Sequence, residues 1–423
     1  MTNPRVLPTE QTDVVVIGGG PGGSTASTLI AQKGHNVRLF EREHFPRFHI
    51  GESLIPCTYF VLERLGMLPK MKKSHFVKKY SVQFINQHGK LSEPFYFIEH
   101  KNHESSQTWQ VLRSELDEML LRNASEHGVQ VEEGVHVLGV LWEGERAVGV
   151  RIKREDGSEQ EIRSKVVVDA SGQSSMIMDR MNLREWDPVL KKAALWTYWE
   201  GAYRDTGRDE GATLVIQVQG KHGWFWYIPQ HDNTISVGVV ADYGQLFKSR
   251  PGLTPEQIYW EEVNRCPGLK PRLAGARRVA PFRAAKEYSY QAKQAAGDGW
   301  VLVGDAFAFL DPLYSSGVLL ALKSGSLAAD AVGEGLAKGD TTGAQLGKWE
   351  AGYVQGVQRM RRLVCAYYDG FSFGRFVKRF PHLKGLVTDL LIGDLFKDEV
   401  DQVWPAMDAI WEEVRQPELA ATT

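Results

Sequence analysis

The chain has 423 residues, 43% hydrophobic and 24% charged, the balance of a globular protein with room for two or three cores. Its 50 basic and 52 acidic residues leave a net charge of −2, which excludes a basic nucleic-acid or anionic-membrane face as the organising feature. Three widely spaced cysteines, Cys57, Cys266 and Cys365, and histidines without H-E-x-x-H spacing leave a disulfide framework and a metal site unsupported. Reduced thiols in a cytoplasmic protein are expected. No stretch of about 18 apolar residues offers a membrane span, and the first eleven residues lack a signal-peptide core.

The most informative stretch comes early. Val14 to Ile17 is a continuous β-branched run, as expected of a parallel strand covered on both faces. Gly18, Gly20 and Gly23 follow at G-x-G-x-x-G spacing. Gly18 allows a tight turn, Gly20 lets backbone approach a pyrophosphate, and Gly23 lets the next helix pack closely. That helix starts near Pro21, includes Ser24 and stops at Gly34, with its positive end at the phosphates. Asn36 to Phe40 is a second strand, and Glu41 ends it about 20 residues past the glycines, where a carboxylate suits a ribose hydroxyl. The unit is a dinucleotide site.

Residues 42 to 54 have no helix or strand period and read as a loop returning to the nucleotide. A helix is expected over 56–68, ended at Gly66 or Pro69. The basic run Lys70 to Lys79 is mostly a solvated face. Lys79 differs, because it opens the strand 80–84 and can point inward. Thr108 to Arg113 leads into a helix over 114–127 with Glu115, Asp117 and Glu118 in its first turn and Gly128 as its cap. A hairpin-like β stretch runs through 131–161 with Asp156-Gly157 as a turn signal. Lys165 to Asp169 is a second buried strand, expected beside the first.

Residues 193–240 read as a long antiparallel sheet. Within it, Trp224 and Trp226 share one strand face and Phe225 and Tyr227 the other, so both faces should be buried. Trp300 to Asp305 is a third buried strand with a carboxylate at its tip. After an irregular turn, 318–337 is a helix, and 346–423 reads mostly as helix. The expected organisation is a nucleotide domain assembled from 1–80, 107–190 and 291–345, a substrate-side sheet domain from 81–106 and 191–290, and a helical region from 346 to 423.

The glycine turn with Glu41, Arg113 with its helix, and Gly304-Asp305 together resemble the FAD domain of the aromatic-hydroxylase flavoprotein superfamily. The resemblance covers residues 13 to about 340. It implies an α/β fold: a Rossmann-type FAD-binding domain, an inserted antiparallel sheet and a helical C-terminal region. It also implies FAD contacts by Gly18, Gly20, Pro21, Gly23, Ser24, Glu41 and Arg42, then by Ser53, Arg113, Asp305, Pro312 and Gly317. Three further segments resemble flavin-dependent halogenases. Trp224 to Pro229 is similar to W-x-W-x-I-P, and Phe309 to Gly317 to F-x-x-P-x-x-S-x-G. Phe76 to Tyr80 matches the segment carrying the essential lysine, which falls on Lys79. Tyr367 to Phe396 is similar to the helical tail of bacterial phenol- and pyrrole-type members. Tryptophan-type members carry a glutamate where this chain has Tyr314, which argues against an indole substrate.

The resemblance implies that reduced FAD and O2 convert chloride or bromide to hypohalous acid, and that Lys79 passes the halogen to an electron-rich phenol or pyrrole. It places halide at Ser316 and Gly317, where a helix N-terminus supplies N–H donors; an ordinary N-cap is the structural alternative. Trp224, Trp226, Phe309 and Tyr314 would wall the site. A neutral Lys79 could form a haloamine and a charged one could hydrogen-bond hypohalous acid, and the sequence leaves both open. With one dinucleotide fingerprint, electrons are expected from a separate flavin reductase, and the aromatic substrate is free or tethered to a carrier protein. An FAD-dependent monooxygenase, a prenyl reductase or a non-catalytic flavoprotein would share the FAD motifs without needing the lysine and both tryptophans.

Overall fold

Complete enclosure of Val14, Val15 and Val16 fixes the first layer, because a strand apolar on both faces needs cover on both. In the computed structural model, which describes residues 9–286 and 289–420, these residues belong to the strand Thr9–Ile17. Most of the N-terminal segment read for a signal peptide, and the last three residues of the helical region, lie outside the described residues. Thr9–Ile17 pairs in parallel with Val37–Phe40 on one side and Glu159–Asp169 on the other. The sheet continues from Val37–Phe40 to Gln130–Glu132, and from Glu159–Asp169 to Trp300–Leu302. Register puts Ile17, Phe40, Asp169 and Leu302 in one row. The segments starting at Gly18, Glu41 and Val303 therefore leave the same edge, the carboxyl edge where open α/β sheets bind ligands.

The helix Pro21–Ala31 follows the glycine turn directly, and Gly34 beyond its end has φ +86°. The helix Gly317–Lys338 crosses it so closely that a Cβ on Gly325 would lie 2.5 Å from the Gly22 carbonyl oxygen. This contact binds the end of the FAD-type region to its beginning.

The second sheet is antiparallel from Lys192–Glu200 through Thr234–Asp242 and Gly223–Pro229 to Thr213–Gln217, and Ser81–Ile85 is added in parallel. Every residue of Gly223–Pro229 is buried, as expected of a central strand between two layers. Trp224 and Trp226 pack into the core shared with the first domain, while Phe225 and Tyr227 pack under the helix Pro255–Asn264.

Two expectations change in detail. The helix 56–68 is two short helices, Thr58–Arg64 and Leu68–Lys73, because Gly66 turns at φ +71° and Pro69 starts the second. Lys79 ends the strand Val77–Lys79 rather than opening the next one, Ser81–Ile85. The first strand pairs with Thr108–Gln110 and the second with the substrate-side sheet, so the chain changes partners at Tyr80. The stretch 131–161 is a β meander as expected: His136–Glu143 pairs with Arg146–Lys153, and Arg146–Lys153 pairs antiparallel with the start of Glu159–Asp169 across the turn containing Asp156-Gly157.

Among the described residues, no helix is long and apolar enough to cross a membrane, and no cluster of three or more His, Cys, Asp or Glu side chains could hold a metal. The three cysteines are free and buried.

Candidate active site

The glycine turn has two structural glycines and one that faces open space. A Cβ on Gly18 would run into the Ala170 carbonyl, and one on Gly23 would overlap the Gly18 carbonyl. Gly18 also has φ +98°, a region open to glycine at little cost. Gly20 is different: its nearest neighbour would be Arg47 Nη2, 3.6 Å away. The backbone there is free for an anion to approach beneath a guanidinium, at the start of a helix with Pro21 at its head.

Other groups brace this turn. Glu41, 5% exposed, accepts the Gly19 N–H at 2.7 Å with one carboxylate oxygen and the Glu43 N–H with the other. Ser24 Oγ donates to the Gly19 carbonyl at 2.9 Å. Arg42 is exposed and reaches Ser174 Oγ at 3.5 Å. Buried Asp117 accepts from Arg113 at 2.8 and 2.9 Å and from Arg47 at 3.0 Å, tying the loop 42–54 to the helix Arg113–Glu126. Asp305 sits half-buried at the third strand tip; burial of its carboxyl raises it to about 6, against the pull of Arg113.

A wall of aromatic rings lies between this edge and the second sheet. Ring centroids of Trp224 and Trp226 are 6.3 Å apart, and those of Trp226 and Trp196 are 6.2 Å apart. Trp224 Nε1 donates to Tyr368 Oη at 2.9 Å, which donates to Asp311 at 2.9 Å. Trp226 Nε1 donates to Ser236 Oγ at 3.1 Å, and Ser236 and Tyr198 both turn to the enclosed carboxyl of Glu52. Burial raises the Glu52 carboxyl. Gly238 makes room for this wall, since a Cβ there would overlap the Trp226 ring. Gly238→Ala is expected to displace that ring and cost about 1–3 kcal/mol of stability, as overpacking does. Tryptophan fluorescence and thermal unfolding would show both effects, and an unchanged spectrum would count against the packing described.

Lys79 lies wholly buried, while Lys78 is exposed on the opposite face of its strand. Its Nζ lies 2.9 Å from Ser53 Oγ and donates to the Leu54 carbonyl at 3.0 Å. Both partners are uncharged, and burial alone pushes the amine down from 10.5 to about 7. Ser53 thus turns its hydroxyl to Lys79.

The segment 309–317 runs along the same region. Phe309 stacks on Tyr290 at 6.5 Å, and Asp311 accepts the Leu313 N–H at the turn begun by Pro312. Tyr314 is buried with its ring edge on Phe373. Ser316 is fully enclosed, makes no side-chain capping bond, and its Oγ has no hydrogen-bond partner. Gly317, first residue of the 22-residue helix, has nothing within 4 Å of where a Cβ would stand.

Comparison with known proteins places this arrangement. Residues 11–333 match the family model described as FAD binding domain. The chain is 32% identical over 419 residues to the 1H-pyrrole-2-carbonyl peptidyl-carrier-protein chlorinase of Pseudomonas fluorescens, covering 94% of this chain and 92% of that one. It is 37% identical to the tryptophan 2-halogenase of Chondromyces crocatus over 76% of this chain, spanning 61% of that longer protein. The solved flavin-dependent brominase Bmp2 superposes with a TM-score of 0.85 at 31% identity, over 97% of this chain and all of that one. The chain belongs to the flavin-dependent halogenases.

The halogenase is an FAD enzyme, and its residues fit that cofactor on their own chemistry. The open approach at Gly20 beneath Arg47 suits a pyrophosphate, and Glu41, Arg113 and Asp305 converge from three segments on the same edge. Five residues of this region were not singled out in the sequence. Arg47, Glu52, Gln110, Trp196 and Thr213 lie in loops or strands whose local pattern carries no motif. The alternation within 193–240 put Trp196 on a strand but did not say which layer it faces.

Proposed function

We propose that this halogenase forms hypohalous acid from chloride or bromide and delivers the halogen through Lys79 to an electron-rich pyrrole- or phenol-type ring. The observation that carries the reading is Lys79 itself, a wholly buried amine whose hydrogen-bond partners are uncharged. A structural lysine at such depth would ordinarily be paired with a carboxylate. Reduced FAD, when bound, supplies with O2 the oxidising equivalent for the halide.

The protein's own part is to hold the halide, exclude water and restrain the oxidant. The helix N-terminus at Ser316 and Gly317 offers unpaired N–H groups, and Ser316 Oγ adds an enclosed hydroxyl with no protein partner. That argues for halide against an ordinary cap. Trp196, Trp224 and Trp226 would separate the flavin side from the organic substrate. For the substrate ring, a cavity of about 460 Å³ lies beside Trp224, lined by Phe84, Tyr367, Tyr368, Phe371 and Phe373; Lys79 is not among its lining residues. A larger cavity of about 610 Å³, at Arg250 and Glu262 on the outer side of the second sheet, contains none of the site residues.

Electrons are proposed to come from a partner flavin reductase. The pyrrole chlorinase that this chain matches along its length acts on a carrier-bound substrate, which supports testing both free and carrier-bound rings. The test combines enzyme, reductase, O2 and bromide with a panel of phenols, pyrroles and carrier-bound pyrroles, read by mass spectrometry. Brominated product that requires the reductase is expected. Hydroxylated product without halide, or rapid anaerobic flavin reduction by NADPH alone, would instead support a monooxygenase.

A further inference from the structure

We propose that Gln110, Thr213 and Ser53 form a one-way hydrogen-bond chain that ends on the Lys79 nitrogen and holds it as a neutral amine. The inference rests on the reading of Lys79 as the halogen carrier and supplies what that reading leaves open, the protonation state.

The direction of the chain starts with Gln110. Its side-chain nitrogen lies 2.9 Å from the Gly211 carbonyl and 2.8 Å from Thr213 Oγ1. A carbonyl can only accept, so the amide nitrogen, not its oxygen, faces both groups. Thr213 therefore accepts from Gln110. The Thr213 and Ser53 hydroxyls are 2.8 Å apart, and donation by Gln110 polarises Thr213 as the donor to Ser53. The Ser53 hydrogen is then directed to Lys79 Nζ at 2.9 Å, while Lys79 gives one N–H to the Leu54 carbonyl.

Every hydroxyl hydrogen in this sequence has an acceptor only if Lys79 keeps its lone pair. An ammonium must donate to Ser53. One hydrogen, that of Ser53 or that of Thr213, then has no acceptor among the hydrogen bonds of the site. Ser53, Thr213 and Gln110 are 5%, 4% and 0% exposed, so a stranded donor there is costly.

The strand pairing shows that this cluster is built by the fold. Lys79 lies opposite Thr108, and Ser53 opposite Gln110, on the two edges of Thr108–Gln110. Paired residues and alternate residues share a face, so Lys79, Gln110 and Ser53 project together. Thr213 meets them from the adjoining sheet. No charge interferes: Lys78 is on the exposed face, and Glu52 is turned to Tyr198 and Ser236. No charged group on the packed elements acts on Lys79, whose lowering comes from burial alone.

The chain leaves the amine ready for transfer. When the Ser53 hydrogen turns away, the one lone pair of the neutral amine takes the halogen of hypohalous acid: the N–X bond forms, the O–X bond breaks, and one amine hydrogen leaves with hydroxide as water. Gln110 and Thr213 touch none of the reacting atoms and are positioning residues.

The test is an NMR titration of flavin-free protein carrying 13Cε-lysine, with the Lys79 signal assigned by its loss in Lys79→Ala. The wild-type midpoint is expected at about 7. Thr213→Val removes, at nearly constant volume, the donation that polarises Ser53 toward the amine; Ser53 then accepts more readily from an ammonium, and the midpoint should rise by about one unit, a tenfold loss of neutral amine below the midpoint. Thr213→Ser, which keeps the hydroxyl, should restore it. Gln110→Met, which keeps length but donates nothing, should act like Thr213→Val and serves if that variant does not fold. An unmoved midpoint in Thr213→Val or Gln110→Met, or a Thr213→Ser midpoint raised like that of Thr213→Val, overturns the chain. Continued halogenation by Lys79→Ala would overturn the carrier role instead and leave the titration standing.

Discussion

Lys79→Ala is expected to bind FAD, consume O2 and release hypohalous acid, yet to lose aromatic halogenation by at least about 100-fold, the lower range for removal of a positioned acid or base. Released oxidant would be measured with a small-molecule trap and product by mass spectrometry. Lys79→Arg should not rescue, because guanidinium stays charged and has another shape. Lys78→Ala should behave as wild type, since that side chain is in solvent. Full activity in Lys79→Ala, or a dead Lys78→Ala, would refute the assignment. The same lysine weakens the fold. Its amine falls from 10.5 to about 7 on burial, so the unfolded chain binds more protons between those values and stability rises with pH there. Lys79→Met should therefore be more stable than wild type below about pH 7, with the gain shrinking as pH approaches 10.5. Urea unfolding across that range measures it; a gain independent of pH would mean that the lysine is charged in both states.

Gly20→Val is expected to fold normally and to lose FAD affinity by at least about 100-fold, or about 3 kcal/mol. Gly20 is the glycine of the turn with room for a side chain, its nearest neighbour being Arg47 at 3.6 Å. Its backbone, φ −68° and ψ −178°, is open to any residue. A valine there would occupy the approach proposed for the pyrophosphate without disturbing the packing. Gly23→Val should instead fail to fold, because its side chain would overlap the Gly18 carbonyl. FAD titration by fluorescence, paired with thermal unfolding, separates the two. Normal FAD binding by a folded Gly20→Val protein would remove the cofactor from this turn.

The sequence by itself placed the strand 165–169 beside the first strand and marked the ligand edge of the first domain. Val14 to Ile17, Val166 to Val168 and Trp300 to Leu302 are apolar on both faces, so each needs a buried parallel neighbour. The glycine spacing then marks the carboxyl edge. It also assigned the two faces of Trp224 to Pro229, because strand alternation is strictly local. What it left open depends on partners far apart in the chain. Lys79 read as the start of a strand because its apolar neighbours follow it; the structure ends one strand there, since its hydrogen-bond partners, Thr108 to Gln110, lie some 30 residues on. Ser53 read as a cofactor contact from a loop without periodicity, yet its hydroxyl meets Lys79. Arg47 carries no motif, and only the folding of the loop 42–54 onto the helix Arg113–Glu126, where Asp117 holds it, brings it beside Gly20. Burial is the deciding quantity in each case. A lysine, a serine, a threonine and a glutamine are ordinary surface residues by type, and only enclosure between two sheets turns them into a cluster in which every hydrogen must find an acceptor.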